Sequence, residues 1–350
     1  MSFRKGEQIL QTLRERILSG RWSTGTRLPT YDELTQEFQV ARPTISRLLQ
    51  SLREEGLITF RASPGAFVAE RFPHHNRYYW ATSEQPGSRE WTSFLATFLD
   101  LIEHGTSGVP GEVVPLVGVD GRSNNPAYRL VCDVMKTGAA AGLLLVNSAT
   151  VYQLPVLEAE GPPRVAICAA LPHASLVSLA FDELIERACA RLLEKGQRIA
   201  VVSPHTETLL AAEKCLLAKG LPKNRMRVLH VAPVGCERLT ELLFDRPDRP
   251  DTVFVADDNL IEPLLLGLKR ARVTVPSDVS VLAHCNWPRP IGLREGIEHI
   301  GFDVREIFSA AKACLDAQHG GEPSPVRVVP ARFLSELTHG LDEHATREIA

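Results

Sequence analysis

The first 70 residues carry apolar side chains at helical spacing, separated by polar turns. Apolar residues recur every four positions over 4–19, which predicts a first amphipathic helix. Leu34 and Phe38 are also four residues apart and predict a second, shorter helix with one apolar face. The third predicted helix has the longest apolar stripe of the three, formed by Ile45, Leu48, Leu49 and Leu52.

Capping and turn residues set the limits of these helices. Thr30 and Glu33 have the spacing of a capping box, in which each side chain hydrogen-bonds the backbone amide of the other, and Pro29 precedes them. Gly56 is expected to end the third helix. The segments LITF and AFVA then flank Ser63-Pro64-Gly65 and predict a β-hairpin with the shape of a wing.

The polar face of the third helix is rich in side chains suited to DNA. It offers guanidinium, hydroxyl and amide groups that can bind base edges and phosphates. Together with the hairpin, this face predicts a winged helix-turn-helix whose second helix enters the major groove. The alternative is a small three-helix packing module that binds no nucleic acid. The candidate DNA-binding residues are Thr30, Arg42, Pro43, Thr44, Ser46, Arg47, Gln50, Ser63 and Gly65.

From residue 78 onward, buried strands alternate with amphipathic helices. Runs such as Gly142–Val146 are apolar throughout, which is typical of parallel strands covered by helices on both faces. The alternation restarts at Asp182, so an α/β fold of two parallel lobes with a cleft between them is predicted. Residues 71–77 break this periodicity and are expected to form a linker.

Composition and charge restrict the class of protein. Hydrophobic residues make up 44% of the chain and charged residues 23%, as in ordinary folded proteins. No apolar run approaches the roughly 18 residues of a membrane span, and the first ten residues lack the apolar core of a signal peptide. Residues 1–70, which we call the head, have ten basic and eight acidic side chains and therefore a formal net charge of +2. The remaining residues, the body, have a formal net charge of −5. This charge distribution favours a sequence-specific regulator over a protein that coats nucleic acid without sequence preference.

The seven cysteines indicate a reducing compartment. They are odd in number, form no CxxC pair and often fall on apolar faces, so they are expected to be reduced core residues of a cytoplasmic protein. The adjacent His74 and His75 have no further ligands nearby, and no metal site is expected there. The sequence contains no Gly-rich phosphate loop and no GxSxG motif, so no cofactor and no catalytic residue is predicted.

The head resembles the GntR-type regulators over roughly its first 70 residues. The matching segments are LPTYDEL at 28–34, VARPTI at 40–45, EEGLI at 54–58 and GAFVA at 65–69. Members of that family use the Arg that opens the recognition helix, the Thr two positions later and the glycine of the wing tip. The resemblance assigns these roles to Arg42, Thr44 and Gly65.

Two positions depart from the GntR-type pattern. Ser46 stands where the family usually has an Arg, and Asp32 replaces an Arg that is common in the preceding helix. Fewer base or phosphate contacts are therefore available from these positions. The resemblance implies DNA binding with an unusual operator sequence.

The body resembles the LacI-type repressors in two segments. Residues 181–203 are similar to the segment that enters the second lobe, and residues 252–284 are similar to the run that ends in VPSDVSV. The resemblance implies a periplasmic-binding-protein-like fold, and a GntR-type head on such a body is the arrangement of the arabinose repressors. The expected domains are a winged helix-turn-helix at 1–70, a linker at 71–77, a ligand-binding domain at 78–338 and a tail at 339–350. Its first lobe is expected at about 78–175 and 300–338, and its second lobe at about 176–299.

In the LacI-type fold the ligand lies between the lobes, near the carboxyl ends of the strands. The resemblance places Asp258 at the family's ligand-contacting Asp, although this residue could instead cap the helix that begins near Asn259. Trp91 could stack on a sugar ring or pack in the core. The candidate ligand-binding residues are Ser83, Trp91, Ser148, Asp258, His284 and Asn286.

The identity of the ligand stays open because one expected side chain is absent. Sugar-binding relatives usually have an Arg just after the fourth strand, where this chain has Cys168-Ala169-Ala170. That Arg would supply a bidentate donor for hydroxyls or a carboxylate. A small molecule, such as a sugar or a related metabolite, is expected, and the alternative is a pocket that no longer binds one.

These patterns predict a homodimeric repressor on an inverted-repeat operator, controlled by a small molecule between the lobes. One alternative is a DNA-binding regulator with a ligand-independent effector domain. Another is an enzyme domain, such as an aminotransferase-like body, fused to a DNA-binding head. That body needs more than the roughly 280 residues that follow the head, so no enzyme is predicted.

Overall fold

The structure is a computed structural model that describes most of the chain. The described residues are 3–18, 21–60, 65–69, 77–88, 90–105, 112–146, 149–288, 296–322 and 325–337. Helices α1–α11 are Phe3–Leu18, Tyr31–Phe38, Arg42–Glu54, Ser93–Glu103, Pro126–Thr137, Ala149–Tyr152, Phe181–Lys195, Thr206–Ala218, Pro233–Phe244, Ile261–Arg270 and Val304–His319.

Fourteen strands are formed by the described residues. Strands β1–β7 are Ile58–Phe60, Ala66–Val68, Arg77–Ala81, Glu112–Leu116, Gly142–Val146, Arg164–Ile167 and Ser175–Leu179. Strands β8–β14 are Ile199–Ser203, Met226–His230, Thr252–Val255, Ser280–Trp287, Ile297–Asp303, Val326–Val329 and Arg332–Phe333. Short 3₁₀ turns occur at Pro155–Glu158, Lys223–Arg225, Asp258–Leu260 and Leu334–Glu336.

The head is a winged helix-turn-helix, as the apolar pattern predicts. Helices α1 and α2 pack on α3, and β1 pairs with β2 antiparallel to form the wing. The predicted capping box is confirmed, because the Thr30 amide donates to Glu33 Oε2 at 2.6 Å and the Glu33 amide donates to Thr30 Oγ1 at 3.3 Å. The apolar stripe closes the core, and the fully buried residues of the helices include Leu13, Leu34, Ile45, Leu49 and Leu52.

Two six-stranded sheets form the body, with helices on both faces of each. The first sheet has the order β13-β7-β6-β5-β3-β4 and is parallel throughout. The second has the order β14-β12-β11-β10-β8-β9 and is parallel except for β14. The predicted α/β fold of two parallel lobes is therefore confirmed.

Two strands, β7 and β12, are not predicted by the sequence pattern, and both lie near the expected boundaries between the lobes. β7 belongs to the first sheet although the first lobe was expected to stop at residue 175. β12 belongs to the second sheet although residues from 300 onward were assigned to the first lobe. The strand β12 is hard to recognise because Glu298 and His299 interrupt its apolar run, and β7 is short and contains two serines among its five residues. Arg77, the last residue of the expected linker, is the first residue of β3.

The last long helix returns to the first lobe, as the resemblance implies. Phe308 of α11 contacts Phe98 of α4 at 5.0 Å between ring centroids, and Phe98 stacks on Trp80 of β3 at 5.8 Å. All three rings are completely buried. The chain therefore passes between the lobes near Ala180, at Asp303 and again between β13 and β14.

Within the described ranges, no helix is both long enough and apolar enough to cross a membrane.

The aromatic cluster predicts where the body is most sensitive to truncation. Phe98→Ala is expected to lower the free energy of unfolding by about 3–5 kcal/mol, because it removes a fully buried ring and leaves a cavity. Leu210→Ala is the control, since that side chain is 60% exposed and its loss should change stability by less than about 0.5 kcal/mol. Urea unfolding followed by tryptophan fluorescence measures both. Equal effects of the two substitutions would contradict this assignment of the core.

Candidate functional site

The turn between α2 and α3 sets the direction of the recognition helix. Gln39 ends α2 in the left-handed conformation, with φ 49° and ψ 53°, and its amide donates to the Thr35 carbonyl. Ala41 is the N-cap of α3, and Pro43 lies in its first turn, where a fixed φ and a missing N–H are tolerated. The first turn of α3 is thus fixed by the backbone and projects from the head.

The face of α3 opposite its buried stripe carries most of the predicted DNA-binding side chains. Thr44 is half-buried on this face. Gln50 is held at 3.1 Å from Glu54 Oε1, one turn further along the helix. The exposed members of the set on α3 are Arg42, Pro43, Ser46, Arg47 and Gln50.

Thr30, a candidate DNA-binding residue, takes part in the capping box of α2. Its hydroxyl accepts from the Glu33 amide and donates to Glu33 Oε2 at 2.9 Å. Hydrogen bonds from Thr30, first from its backbone amide, hold the pKa of Glu33 below its usual range. The residue therefore fixes the start of α2, and a direct contact to DNA stays a prediction.

The wing tip requires glycine at position 65. Gly65 has φ of +153°, and a Cβ atom there would lie 2.7 Å from Arg27 Nε. Arg27 itself forms a bridge to Phe67, which ties the segment before α2 to the wing. The predicted contact residue Ser63 lies outside the described residues.

Three neighbouring strands of the second lobe end at the same edge and carry a polar cluster. Asp258 follows β10, and His284 and Asn286 lie near the end of β11. Asn286 donates through Nδ2 to Asp258 Oδ2 at 2.6 Å, and both residues are buried. Within the described part of the chain, His284 Nε2 and Asn286 Oδ1 are buried and make no hydrogen bond. The structure therefore brings three of the predicted ligand-binding residues together.

Asp257 is the residue that caps the following helix, which corrects the alternative role considered for Asp258. The Asp257 carboxylate accepts from the Asn259 amide at 2.9 Å and from Asn259 Nδ2 at 2.8 Å. It is also 3.1 Å from His205 Nε2, which extends from the end of β8. The two adjacent carboxylates therefore differ in role. Asp257 caps the 3₁₀ turn that leads into α10, and Asp258 accepts a hydrogen bond from Asn286.

The polar cluster includes residues that the sequence analysis missed. His205 and Asp257 are two of them, and the third is Ser93, which begins α4 in the first lobe. Ser93 Oγ is buried and, among the described residues, makes no hydrogen bond, but it lies close enough to Asp258 to affect the pKa of that carboxyl. Because α4 also contacts β11, the first lobe meets the second beside this carboxylate. His205 lies two residues after the end of β8 and Ser93 twelve residues after the end of β3. Only the order of the strands in the sheets could have pointed to both residues.

Burial and pairing set the protonation of the cluster. Burial raises the pKa of Asp258 and lowers the pKa of His284, since both groups lose hydration when charged. Burial acts on Asp257 as well, but hydrogen bonds from His205 and Asn259 outweigh it and keep the pKa of Asp257 below its usual value. The same hydrogen bond to Asp257 raises the pKa of His205.

The remaining predicted ligand residues fall at the first lobe. Trp91 is half-buried and packs edge-to-face on Trp80 at 6.5 Å, two residues before Ser93. Ser83 follows β3 and donates to Glu84 Oε1 at 2.8 Å. Ser148 lies outside the described residues. Cys168 occupies the position of the absent Arg, has φ of 76°, and burial raises the pKa of its thiol to about 12.

Two families match separate parts of this chain. Residues 5–68 match the bacterial regulatory proteins of the gntR family, and residues 181–330 match the periplasmic binding protein-like domain. The head is 41% identical over 64 residues to the histidine utilization repressor of Klebsiella aerogenes, covering 18% of this chain and 27% of that protein. It is 37% identical over 71 residues to the galactonate operon transcriptional repressor of Escherichia coli, covering 20% and 31%.

The body is similar to solved structures at low sequence identity. A regulatory protein of the LacI family from Chloroflexus aggregans aligns with a TM-score of 0.57 at 18% identity, covering 74% of this chain and 96% of that one. A LacI family transcriptional regulator from Enterococcus faecium with bound ribose aligns with a TM-score of 0.54 at 16% identity, covering 76% and 99%.

The matches to the curated relatives span less than a third of the length of those proteins. The chain thus combines a GntR-type helix-turn-helix domain with a periplasmic-binding-protein-like domain of LacI-type fold.

The pair of His205 and Asp257 predicts a pH-dependent contribution to stability. The pKa of His205 is raised in the folded state, so protonated His205 stabilises the fold below its ordinary pKa of about 6.5. This contribution is lost as the pH rises through the raised pKa. His205→Gln should therefore lower the melting temperature near pH 6 and leave it unchanged at pH 9. His230→Gln, at the exposed end of β9, is the control. A pH-independent difference between wild type and His205→Gln would contradict the pairing.

Proposed function

We propose that this protein is a cytoplasmic transcriptional repressor that binds an operator through α3 and responds to a small molecule between its lobes. The observation that carries the proposal is the exposed row on α3, opposite a stripe that is buried in the head core. Arg42, Ser46 and Arg47 offer donors to base edges and phosphates from one face of one helix. The match of residues 5–68 to the gntR family supports this use of the face.

A homodimer on an inverted repeat is part of the proposal. A two-fold protein reads a two-fold site, with one head in each half-site. Exposed apolar side chains on α9 and α10 support self-association through the second lobe. Val234 is 92% exposed, and Leu242 and Leu266 are each about half exposed. Large exposed apolar side chains in one region are typical of an interface.

The proposed effector site is the polar cluster at the edge shared by the two lobes. His284 Nε2 and Asn286 Oδ1 supply hydrogen-bonding groups beside the Asp258 carboxylate. Asp258 and Ser93 come from different lobes, so a ligand at this position would bind both and favour one lobe arrangement. A neutral polyhydroxylated molecule suits this set of acceptors, and the ribose bound to the Enterococcus faecium regulator makes sugars the first class to test.

The DNA-binding role predicts the effect of a single substitution. Arg42→Ala is expected to weaken operator binding by about 1–3 kcal/mol, because it removes a base-reading side chain from the first turn of α3. Selection of fragmented genomic DNA on the purified protein would supply the operator, and fluorescence anisotropy would then measure both variants.

Arg129→Ala is the control for this substitution, since Arg129 is exposed on α5 of the first lobe and its loss changes the net charge equally. Operator affinity that is unchanged by Arg42→Ala, or lowered equally by both substitutions, would overturn the proposed docking.

The effector role predicts a ligand-dependent rise in melting temperature. A sugar present at 100 times its Kd should stabilise the wild type by about 2.7 kcal/mol. Asp258→Asn should abolish most of this gain, because it replaces the buried acceptor at the lobe contact. Asp245→Asn, at the exposed end of α9, should retain it. If no sugar shifts the melting temperature of the wild type, the ligand-independent regulator becomes the better description.

A further inference from the structure

We infer that Asp32 is a specificity-determining residue of the reading head, and that Arg42 and Asp32 together read one G·C base pair. This inference rests on the proposed DNA-binding function and concerns which bases the head selects. Asp32 is the second residue of α2 and Arg42 is the first residue of α3, so the two helices that flank the turn each contribute one side chain.

Arg42 and Asp32 form a solvent-exposed ion pair on the face that carries the candidate DNA-binding residues. Arg42 Nη1 is 3.5 Å from Asp32 Oδ1, and the side chains are 66% and 83% exposed. The Arg42 guanidinium also lies over the ring of Tyr31, at 5.5 Å from the ring centroid. Contact with Tyr31 and Asp32 therefore orients Arg42 toward the start of α2, while both charged groups remain open to a further partner.

Asp32 is the acid of this turn that remains available to a DNA base. Its neighbour Glu33 is engaged by the amide and hydroxyl of Thr30 in the capping box. Among the residues that the structure describes, Asp32 has one ionic partner, Arg42. An exposed ion pair of this kind contributes about 0–1 kcal/mol, so DNA can separate or share it at little cost.

The pair has the hydrogen-bonding pattern that complements the major-groove edge of G·C. That edge presents two acceptors on guanine, N7 and O6, followed by one donor on cytosine, N4. An Arg offers donors only and an ionised Asp offers acceptors only. Guanine O6 and cytosine N4 hydrogen-bond each other, so they are about 2.9 Å apart. The 3.5 Å between Arg42 Nη1 and Asp32 Oδ1 is close to that spacing.

The same chemistry disfavours an A·T pair that has adenine in place of guanine at this position. A carboxylate is repelled by phosphates and by the O4 acceptor of thymine, so it is tolerated only where a base offers a donor. With guanine bound by Arg42, the donor beside it is the amino group of cytosine. Replacing G·C by A·T would place the thymine O4 acceptor against Asp32, and the head should reject that site.

Selection from a random DNA library with the full-length protein tests this inference. The wild type should select a G·C pair at one position of each half-site. Asp32→Asn should lower the preference for G·C over A·T at that position by about tenfold, because an amide can donate to thymine O4. Arg42→Ala should weaken the preference at the same position. Glu7→Gln is the control, since it removes one exposed carboxylate of α1 and should leave every base preference unchanged.

The outcomes separate this inference from the proposed function. If the wild type selects a motif and Asp32→Asn selects the same motif with equal preferences, Asp32 reads no base and the inference is overturned. It is also overturned if Asp32→Asn and Arg42→Ala alter different positions. If the wild type enriches no motif at all, the proposed sequence-specific DNA binding is itself overturned, and the inference falls with it.

Discussion

One-sided burial of α3 is the constraint on which the reading head depends. Ile45 and Leu49 have no exposed surface, and Leu48 and Leu52 complete the stripe that packs against α1, α2 and the wing. A helix with 3.6 residues per turn cannot rotate about its axis without exposing such a stripe. The core of the head therefore determines which side of α3 faces outward. The exposure of the polar row that begins at Arg42 therefore results from the packing of the opposite face of α3.

A related constraint assembles the cluster in the body. Parallel strands end at one edge of a sheet, so the residues at the carboxyl ends of β8, β10 and β11 meet although they are far apart in the chain. Asp258 and Asn286 are buried at this edge, so each depends on its neighbour for a hydrogen bond. Asp257 is kept ionised by His205 and Asn259, whereas Asp258 has Asn286 and Ser93 beside it. The edge is also where the first lobe contacts the second, which makes it the position at which a bound molecule would act on the arrangement of the lobes.

The head and the body place different demands on the same chain. In the head, exposed charged groups such as Arg42 and Asp32 are weakly paired and remain open to an external partner. In the body, Asp258 and Asn286 are buried, and a change in their partners has larger energetic consequences. In the function we propose, recognition of DNA therefore uses an exposed surface, and response to a small molecule uses a contact between two lobes connected by three crossovers.

Local pattern alone determined much of this protein. The capping box at Thr30, the stripe of α3, the hairpin and most strands of the body follow from periodicity and turn chemistry, since these act over a few residues. The departure at Asp32 is also visible in the sequence. Only the tertiary structure decided that Asp32 lies beside Arg42, that Asp257 rather than Asp258 caps the helix, and that Ser93 and His205 join the cluster. It also assigned β7 and β12 to their sheets. These features depend on strand order and on contacts between distant segments, which the spacing of residues along a chain does not encode.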